Sequence, residues 1–360
     1  MLPRRPSLSS ALVLLAATLV AGAGGRAAAQ GSGLERTVDP AVRPGQDFFG
    51  YANGAWLAAT TVPAGRERWG ARDEIAALTC DRLAAVLADA AHAPPGSTAR
   101  KIADFRAAYL DEGAIEARGL SGIAPLLAEI QGLTDRAALT RYLGRTMLAD
   151  ADPMNWGIYR SATPLGFAVE EGLNGERTNV PLLVQGGLGL PDREDNLGTA
   201  PEKVELRARY RAYVERILTL AGVEYADAHA ARVLDLETAV ARTHATAAAS
   251  AQDHNADSLW TRADFARRAP GMDWSAFFAA AGMPRQRSFI AWQPGALAGM
   301  AALVGAHPLE GWKDYLTFRL LDRYADLLPR EFAEASAEMH GTAGTPREAR
   351  ALTATQAALG

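Results

Sequence analysis

Two long stretches carry large apolar side chains at the spacing of a helix face, and they constrain the fold more than anything else in the chain. Val204, Leu206, Tyr210, Tyr213, Val214, Ile217 and Leu218 recur within Glu202–Leu220, and Trp312, Tyr315, Leu316, Phe318, Leu320 and Leu321 recur within Pro308–Leu328. Residues three and four apart share one side of an α-helix, so each stripe needs an apolar surface to cover it. Shorter stripes predict further helices over Arg72–Ala91, Ser97–Leu110, Leu120–Ile130, Asp135–Leu148, Asp227–Ala249, Thr261–Arg268 and Thr345–Gly360. Ser97 is placed as an N-cap, Asp73 and Glu74 sit in a first turn where the helix dipole favours acids, and Pro94-Pro95-Gly96 and Pro329 act as stops. Between Asp152 and Thr199 the texture changes to Trp156, Ile158, Tyr159, Phe167, Val169 and Val180–Val184 broken by Gly, Pro and Asn, which reads as extended chain. The fold class is therefore mainly α, a multi-helix domain with a few short strands at about residues 155–190 and 288–292.

The densest aromatic segment, Arg43–Ile75, holds Phe48, Phe49, Tyr51, Trp56 and Trp69 among Gly45, Gly50, Gly54 and Gly70. Large rings beside glycines predict a chain that turns tightly over a packed apolar surface. Arg43, Asp47, Arg66, Arg68, Arg72 and Asp73 add more charge than packing requires. Either these arginines are solvated or paired with nearby acids, or at least one faces a ligand cleft.

Residues 1–29 read as a secretory signal, with basic Arg4-Arg5, an apolar Ala11–Val20 and an Ala27-Ala28-Ala29 cleavage site. The apolar run is short of the ~20 residues that span a bilayer. Export to the periplasm or the exterior is expected, with an uncleaved anchor as the alternative and no permanent membrane span. A linker over 30–44 then precedes one domain over 45–360. With Cys80 as the only cysteine no internal disulfide can form, and Cys80 reads as a small buried side chain on a helix. A net charge of −4 with scattered basic residues excludes a nucleic-acid footprint.

The loop Gly186-Gly187-Leu188-Gly189-Leu190-Pro191-Asp192 follows a strand, as phosphate-binding loops do. It lacks a Lys-Ser/Thr ending and dinucleotide-type glycine spacing, and Pro191 stands where a helix should open, so a tight structural loop is expected. The six histidines are each at least ten positions from the next, so no two can hold one metal from a single helical turn. Each reads as a surface or a satisfied core histidine. No Gly-x-Ser-x-Gly elbow suggests nucleophilic hydrolysis.

Several blocks in one order carry a resemblance: Asp47-Phe48-Phe49 through Tyr51-Ala52-Asn53-Gly54-Ala55-Trp56-Leu57, Arg68-Trp69-Gly70, Tyr109-Leu110-Asp111-Glu112, Gln185 through Arg193, Leu236-Glu237, Asp273-Trp274, and Trp312-Lys313-Asp314-Tyr315-Leu316. From residue 40 to 360 the chain resembles the N-terminal, capping region of the neprilysin and endothelin-converting-enzyme family of zinc metallopeptidases. Without paired cysteines it is similar to the bacterial branch. The resemblance implies helices that roof a closed chamber admitting short peptides. It implies zinc in the full-length enzyme, held by His-Glu-x-x-His and a downstream glutamate. This sequence lacks that motif, so no cofactor and no catalytic residue are assigned to it. Ala351–Gly360 is similar to the segment ahead of the catalytic half, and the expectation is truncation before the zinc domain and no activity alone unless a separate catalytic chain joins it. One subsite carries over by the resemblance. Arg68 corresponds to an arginine near the substrate's C-terminal carboxylate, which a guanidinium grips through two parallel hydrogen bonds, and Asp73 to an acid shaping the same subsite. Where the family's best-known member has a second arginine, this chain has Ala76. The alternative function is a non-enzymatic exported binding or scaffolding protein derived from the cap.

Overall fold

The computed structural model describes residues 37–63, 68–154, 156–171 and 179–359. The signal over 1–29 and residues 30–36 of the linker lie outside the described residues, as does Arg66. Sixteen α-helices and one small sheet make up the regular structure of the described residues, so the fold is mainly α. The chain divides into a unit ending at Ala85 and a second unit from Val86 onward.

The first unit holds α1 (Phe48–Ala59) and the beginning of α2 (Ala71–Ala90). Asp47 caps α1 by accepting the Gly50 N–H at 2.8 Å. The preceding segment lies against the helix through Asp39 N–H to the Tyr51 carbonyl at 2.8 Å and Ala55 N–H to the Thr37 carbonyl at 3.1 Å. Asp39 comes so close that a Cβ on Gly54 would meet its Cβ at 2.7 Å, which is why a glycine is tolerated in mid-helix there. Trp56 Nε1 donates to Glu74 Oε1 at 2.9 Å, tying α1 to α2.

Two expectations are overturned in this part of the chain. Phe48, Phe49, Tyr51 and Trp56 of the aromatic segment lie on the regular helix α1, which has no buried residue, and Phe48 and Phe49 are 70% and 66% exposed. Cys80 is exposed on α2, where Ile75 and Leu78 are exposed too. The periodic apolar pattern makes the helix, but so few residues enclose too little volume to bury its face.

The second unit is built around three helices, α8 (Pro201–Leu220), α9 (Ala226–Thr243) and α14 (Leu309–Tyr324). Their stripes meet: Tyr210, Val214 and Ile217 pack with Val233, Leu236 and Val240 and with Trp312, Tyr315, Phe318 and Leu321, all at most 1% exposed. Only the first turn of the α8 stripe departs from expectation, with Val204 half exposed. An aromatic cluster of Phe265 on α11 (Arg262–Arg268), Trp274, Phe277 and Phe278 on α12 (Trp274–Ala280), and Phe289 extends this core, with Phe278 and Phe289 stacked at 4.1 Å.

The strands β1 (Leu165–Glu171), β2 (Asn179–Gln185), β3 (Leu259–Thr261) and β4 (Ser288–Ala291) lie in the order β1-β2-β4-β3. β2 is antiparallel to β1 and parallel to β4, and Pro181 precedes the two-residue ladder with β4 that begins at Leu182. Side chains alternate across β2, so Leu183 joins the helical core while Leu182 and Val184 join a smaller core with Ile290 and Trp292.

The long helix expected over Asp227–Ala249 ends at Thr243 instead. His244 is extended and its ring contacts the Gly186 carbonyl at 3.1 Å, while the Ala245 N–H donates to Gln185 Oε1 at 2.8 Å. Tertiary hydrogen bonds at the end of β2 outcompete another helical turn. At the far end, α16 (Arg347–Leu359) is clasped to α3 (Thr98–Leu110): Arg347 donates to the Tyr109 carbonyl at 2.7 and 2.9 Å and lies over the Tyr109 ring, and Arg350 pairs with Asp326, which also accepts from Tyr109. Ala351 and Thr355 form the buried stripe of α16.

Candidate functional site

Arg68 is exposed in the extended residues just ahead of α2, and Asp73 is the third residue of that helix. The Asp73 carboxylate turns back to accept the Gly70 N–H at 2.9 Å, satisfying one of the donors that a helix start leaves unpaired and setting negative charge at the positive end of the dipole. Asp73 thus supports the start of α2 through this hydrogen bond as well as through the first-turn charge expected of it. Among the described residues, Arg68 makes no ion pair, and no hydrogen bond joins it to Asp73.

The second concentration of polar chemistry lies under the glycine loop after β2. The Tyr315 hydroxyl donates to the Gly187 carbonyl at 2.8 Å, and the ring of His244 holds Gly186. Gly187 has φ +87°, and a Cβ there would meet the Tyr315 hydroxyl at 2.8 Å; a Cβ on Gly189 would meet the Tyr210 hydroxyl at 1.8 Å. The glycines serve close approach of the loop to buried tyrosines, not phosphate binding.

Beneath the loop, Tyr210 donates to Glu237 Oε1 at 3.0 Å, and Tyr213 donates to Asp322 Oδ1 at 2.5 Å. Arg319 donates to the Ala162 carbonyl at 3.1 Å and stands 3.6 Å from Asp322, which also bonds His340 at 3.0 Å. Burial pushes Glu237 up to about 7, against the opposing Arg319 charge, the Tyr210 hydroxyl and the Gly189 amide. Burial alone would raise Asp322 as well. The His340 hydrogen bond, the Arg319 charge and the Tyr213 hydroxyl outweigh it and hold the carboxyl below its ordinary value. The same bond to Asp322 raises His340, whereas burial drives His244 down to about 4. This network was not read from the sequence. One signal was available: Glu237 falls four residues after Val233 and three before Val240, on the apolar face of α9.

No group of three or more His, Cys, Asp or Glu among the described residues is arranged to hold a metal ion. His229 is engaged with Asp314 at 2.7 Å, and His92 and His254 stand exposed on separate elements. The residues present do not fit a catalytic zinc site, and no chemical step through zinc is derived from them. Among the described residues no helix is long and apolar enough to cross a membrane.

Endothelin-converting enzyme-like 1 of Mus musculus is 27% identical over 213 residues, 58% of this chain and 27% of its own length. Endothelin-converting enzyme 1 of Bos taurus is 23% identical over 342 residues, 91% of this chain and 45% of its own length. The inhibitor complex of the Mycobacterium tuberculosis zinc metalloprotease Zmp1 superposes with a TM-score of 0.73 at 25% identity, covering 88% of this chain and 48% of that one. PepO of Lactobacillus rhamnosis, at 14% identity and a TM-score of 0.65, shares the fold. The chain spans about half or less of the length of these relatives. The N-terminal model of peptidase family M13 matches residues 44–360, and the chain belongs to that family.

Proposed function

We propose that this chain is the substrate-capping portion of an exported, neprilysin-like zinc metallopeptidase, one domain over 45–360 behind a signal over 1–29 and a linker over 30–44. Its work is to restrict a chamber to short peptides and to seat them, while zinc and the general base belong to polypeptide beyond the residues described, whether in the same protein or in a separate catalytic chain. The observation that supports this most is the match to the family's N-terminal model over 44–360. In this reading Arg68 grips the C-terminal carboxylate of the peptide, and Asp73 shapes the subsite by holding the turn at Gly70 that leads into α2.

The test uses the purified chain. With zinc added, an internally quenched short peptide is expected to show no hydrolysis that a chelator removes; chelator-sensitive turnover would overturn the reading. Binding is measured in parallel by fluorescence anisotropy. A peptide with a free C-terminus is expected to bind about tenfold more tightly than its C-terminal amide, as a charge-assisted bidentate contact implies. Arg68→Gln is expected to erase that difference, and its survival in the variant would remove Arg68 from the subsite.

A further inference from the structure

A cavity of about 250 Å³ opens between α8 and α15 (Arg330–Met339), away from the Arg68 segment in sequence and on elements of the second unit alone. Its walls combine three kinds of surface. Tyr213 is one lining residue: its hydroxyl is committed to Asp322 at 2.5 Å, and its ring meets Phe318 and His340 edge-on with centroids 5.8 and 5.7 Å apart. Ala212, Ala335 and Met339 add small and apolar wall. Two guanidinium groups, Arg209 and Arg216, flank Tyr213 on α8. Seven residues apart, they lie on the same side of the helix about 10 Å from each other.

The charges at this cavity do not cancel. Arg216 reaches Glu338 on the opposite wall at 3.2 Å, a contact with both partners largely in water. Arg209 has no ion pair and no side-chain hydrogen bond among the described residues. An aromatic residue, a cationic group without an ion pair among the described residues, and a lining in which Ala212, Ala335 and Met339 alternate with charged side chains favour one ligand chemistry: a small apolar body ending in a single anionic group. The volume is adequate, since an apolar cavity of about 150 Å³ takes up a benzene molecule. The additional space suits a short arm that carries a carboxylate to the rim. A dianion is disfavoured because Glu338 already occupies the second cation.

We infer that the α8–α15 cavity binds a small carboxylate with an aromatic or branched apolar body, the body against Tyr213 and the carboxylate on Arg209. Arg209 presents two parallel N–H donors to the carboxylate, and the ligand covers the Tyr213 ring and the Met339 thioether. The site stands independently of the proposed Arg68 subsite, because no element is common to both.

The experiment uses the full chain with 13C-methyl methionine and follows the Met339 methyl resonance, assigned from Met339→Leu. Three probes of the same shape are titrated: 3-phenylpropionate, 3-phenylpropanamide and 3-phenylpropylammonium. Saturable shifts of Met339 with the carboxylate are expected, with about tenfold weaker binding of the amide and none of the amine. Arg209→Gln changes an exposed side chain and is expected to bring the carboxylate down to the amide's affinity, while Arg68→Gln leaves it unchanged. Ala212→Leu, also at an exposed position, fills the mouth and is expected to weaken the carboxylate and the amide together. A non-saturable response, equal binding of carboxylate and amide, or an Arg209→Gln variant that binds as the parent does would each overturn the assignment.

Discussion

The helices α2 and α8 begin from the same kind of sequence and meet opposite fates. Each is 20 residues long and carries apolar side chains at helical spacing. In α8 the stripe finds α9 and α14, and Tyr210, Val214 and Ile217 are at most 1% exposed. In α2 only Leu87 and Ala90 are buried, and Ile75 stays 64% exposed. The comparison teaches that periodicity specifies a helix and the direction of its apolar face. Burial requires other elements that bring a complementary face to it, and most helical stability comes from that tertiary contact rather than from propensity.

The largest test of this contrast is a pair of ring deletions. Phe318→Ala empties a fully buried site among Tyr210 and Tyr213 and is expected to lower the unfolding free energy by about 3–5 kcal/mol in urea titrations. Phe48→Ala removes an exposed ring and is expected to stay within about 0.5 kcal/mol of the parent. A cost above about 2 kcal/mol for Phe48→Ala would show that its ring is covered in solution, and the contrast would break.

A smaller effect sharpens the description of the second unit. Glu237 titrates near 4.5 when unfolded and about 7 when folded. A raised folded value means that its contribution is fully present below pH 4.5 and is lost as pH rises through about 7, an amount on the order of 3 kcal/mol. Glu237→Gln keeps an acceptor for the Tyr210 hydroxyl and cannot ionise. Stability of the parent minus that of the variant is therefore expected to fall between pH 4.5 and 7, followed by urea unfolding at each pH. A flat difference would mean that Glu237 is charged throughout.

The smallest effect belongs to the first unit. Asp73→Ala removes the acceptor of the Gly70 N–H and one of the two acids of the first turn, which is expected to cost about 0.5–1 kcal/mol locally. Amide hydrogen exchange at Gly70 and the first turn of α2 reads it directly. Unchanged exchange would show that water replaces the Asp73 carboxylate at no loss.

Much of the fold was legible in the sequence because its signals are local. Ser97 caps α3 by accepting the Arg100 N–H, Pro201 opens α8, and Val180–Gln185 forms a strand, all as the residues imply. The helix Pro294–Ala306 was not anticipated, since it is apolar nearly all round and shows no stripe. Cys80 was misplaced because burial was inferred from residue type. The buried Glu237 and the partly buried Arg319 and Asp322 were missed for the converse reason: charged residues read as solvated until three helices are seen to close around them.

By itself, the sequence determined a mainly helical chain, the order of its punctuation, and a histidine spacing that denies a zinc pair on one helical turn. The tertiary structure alone decided which stripes are covered, why Gly187 and Gly189 must be glycines, that the Asp73 carboxylate accepts the Gly70 N–H ahead of α2, and that Arg209, without an ion pair among the described residues, lines one cavity with Tyr213. The physical reason is range. Helix spacing and caps act over three or four residues, whereas burial, a shifted carboxyl and a cavity are properties of side chains brought together from distant helices, as in the hydrogen bond from Tyr213 to Asp322 across 109 positions.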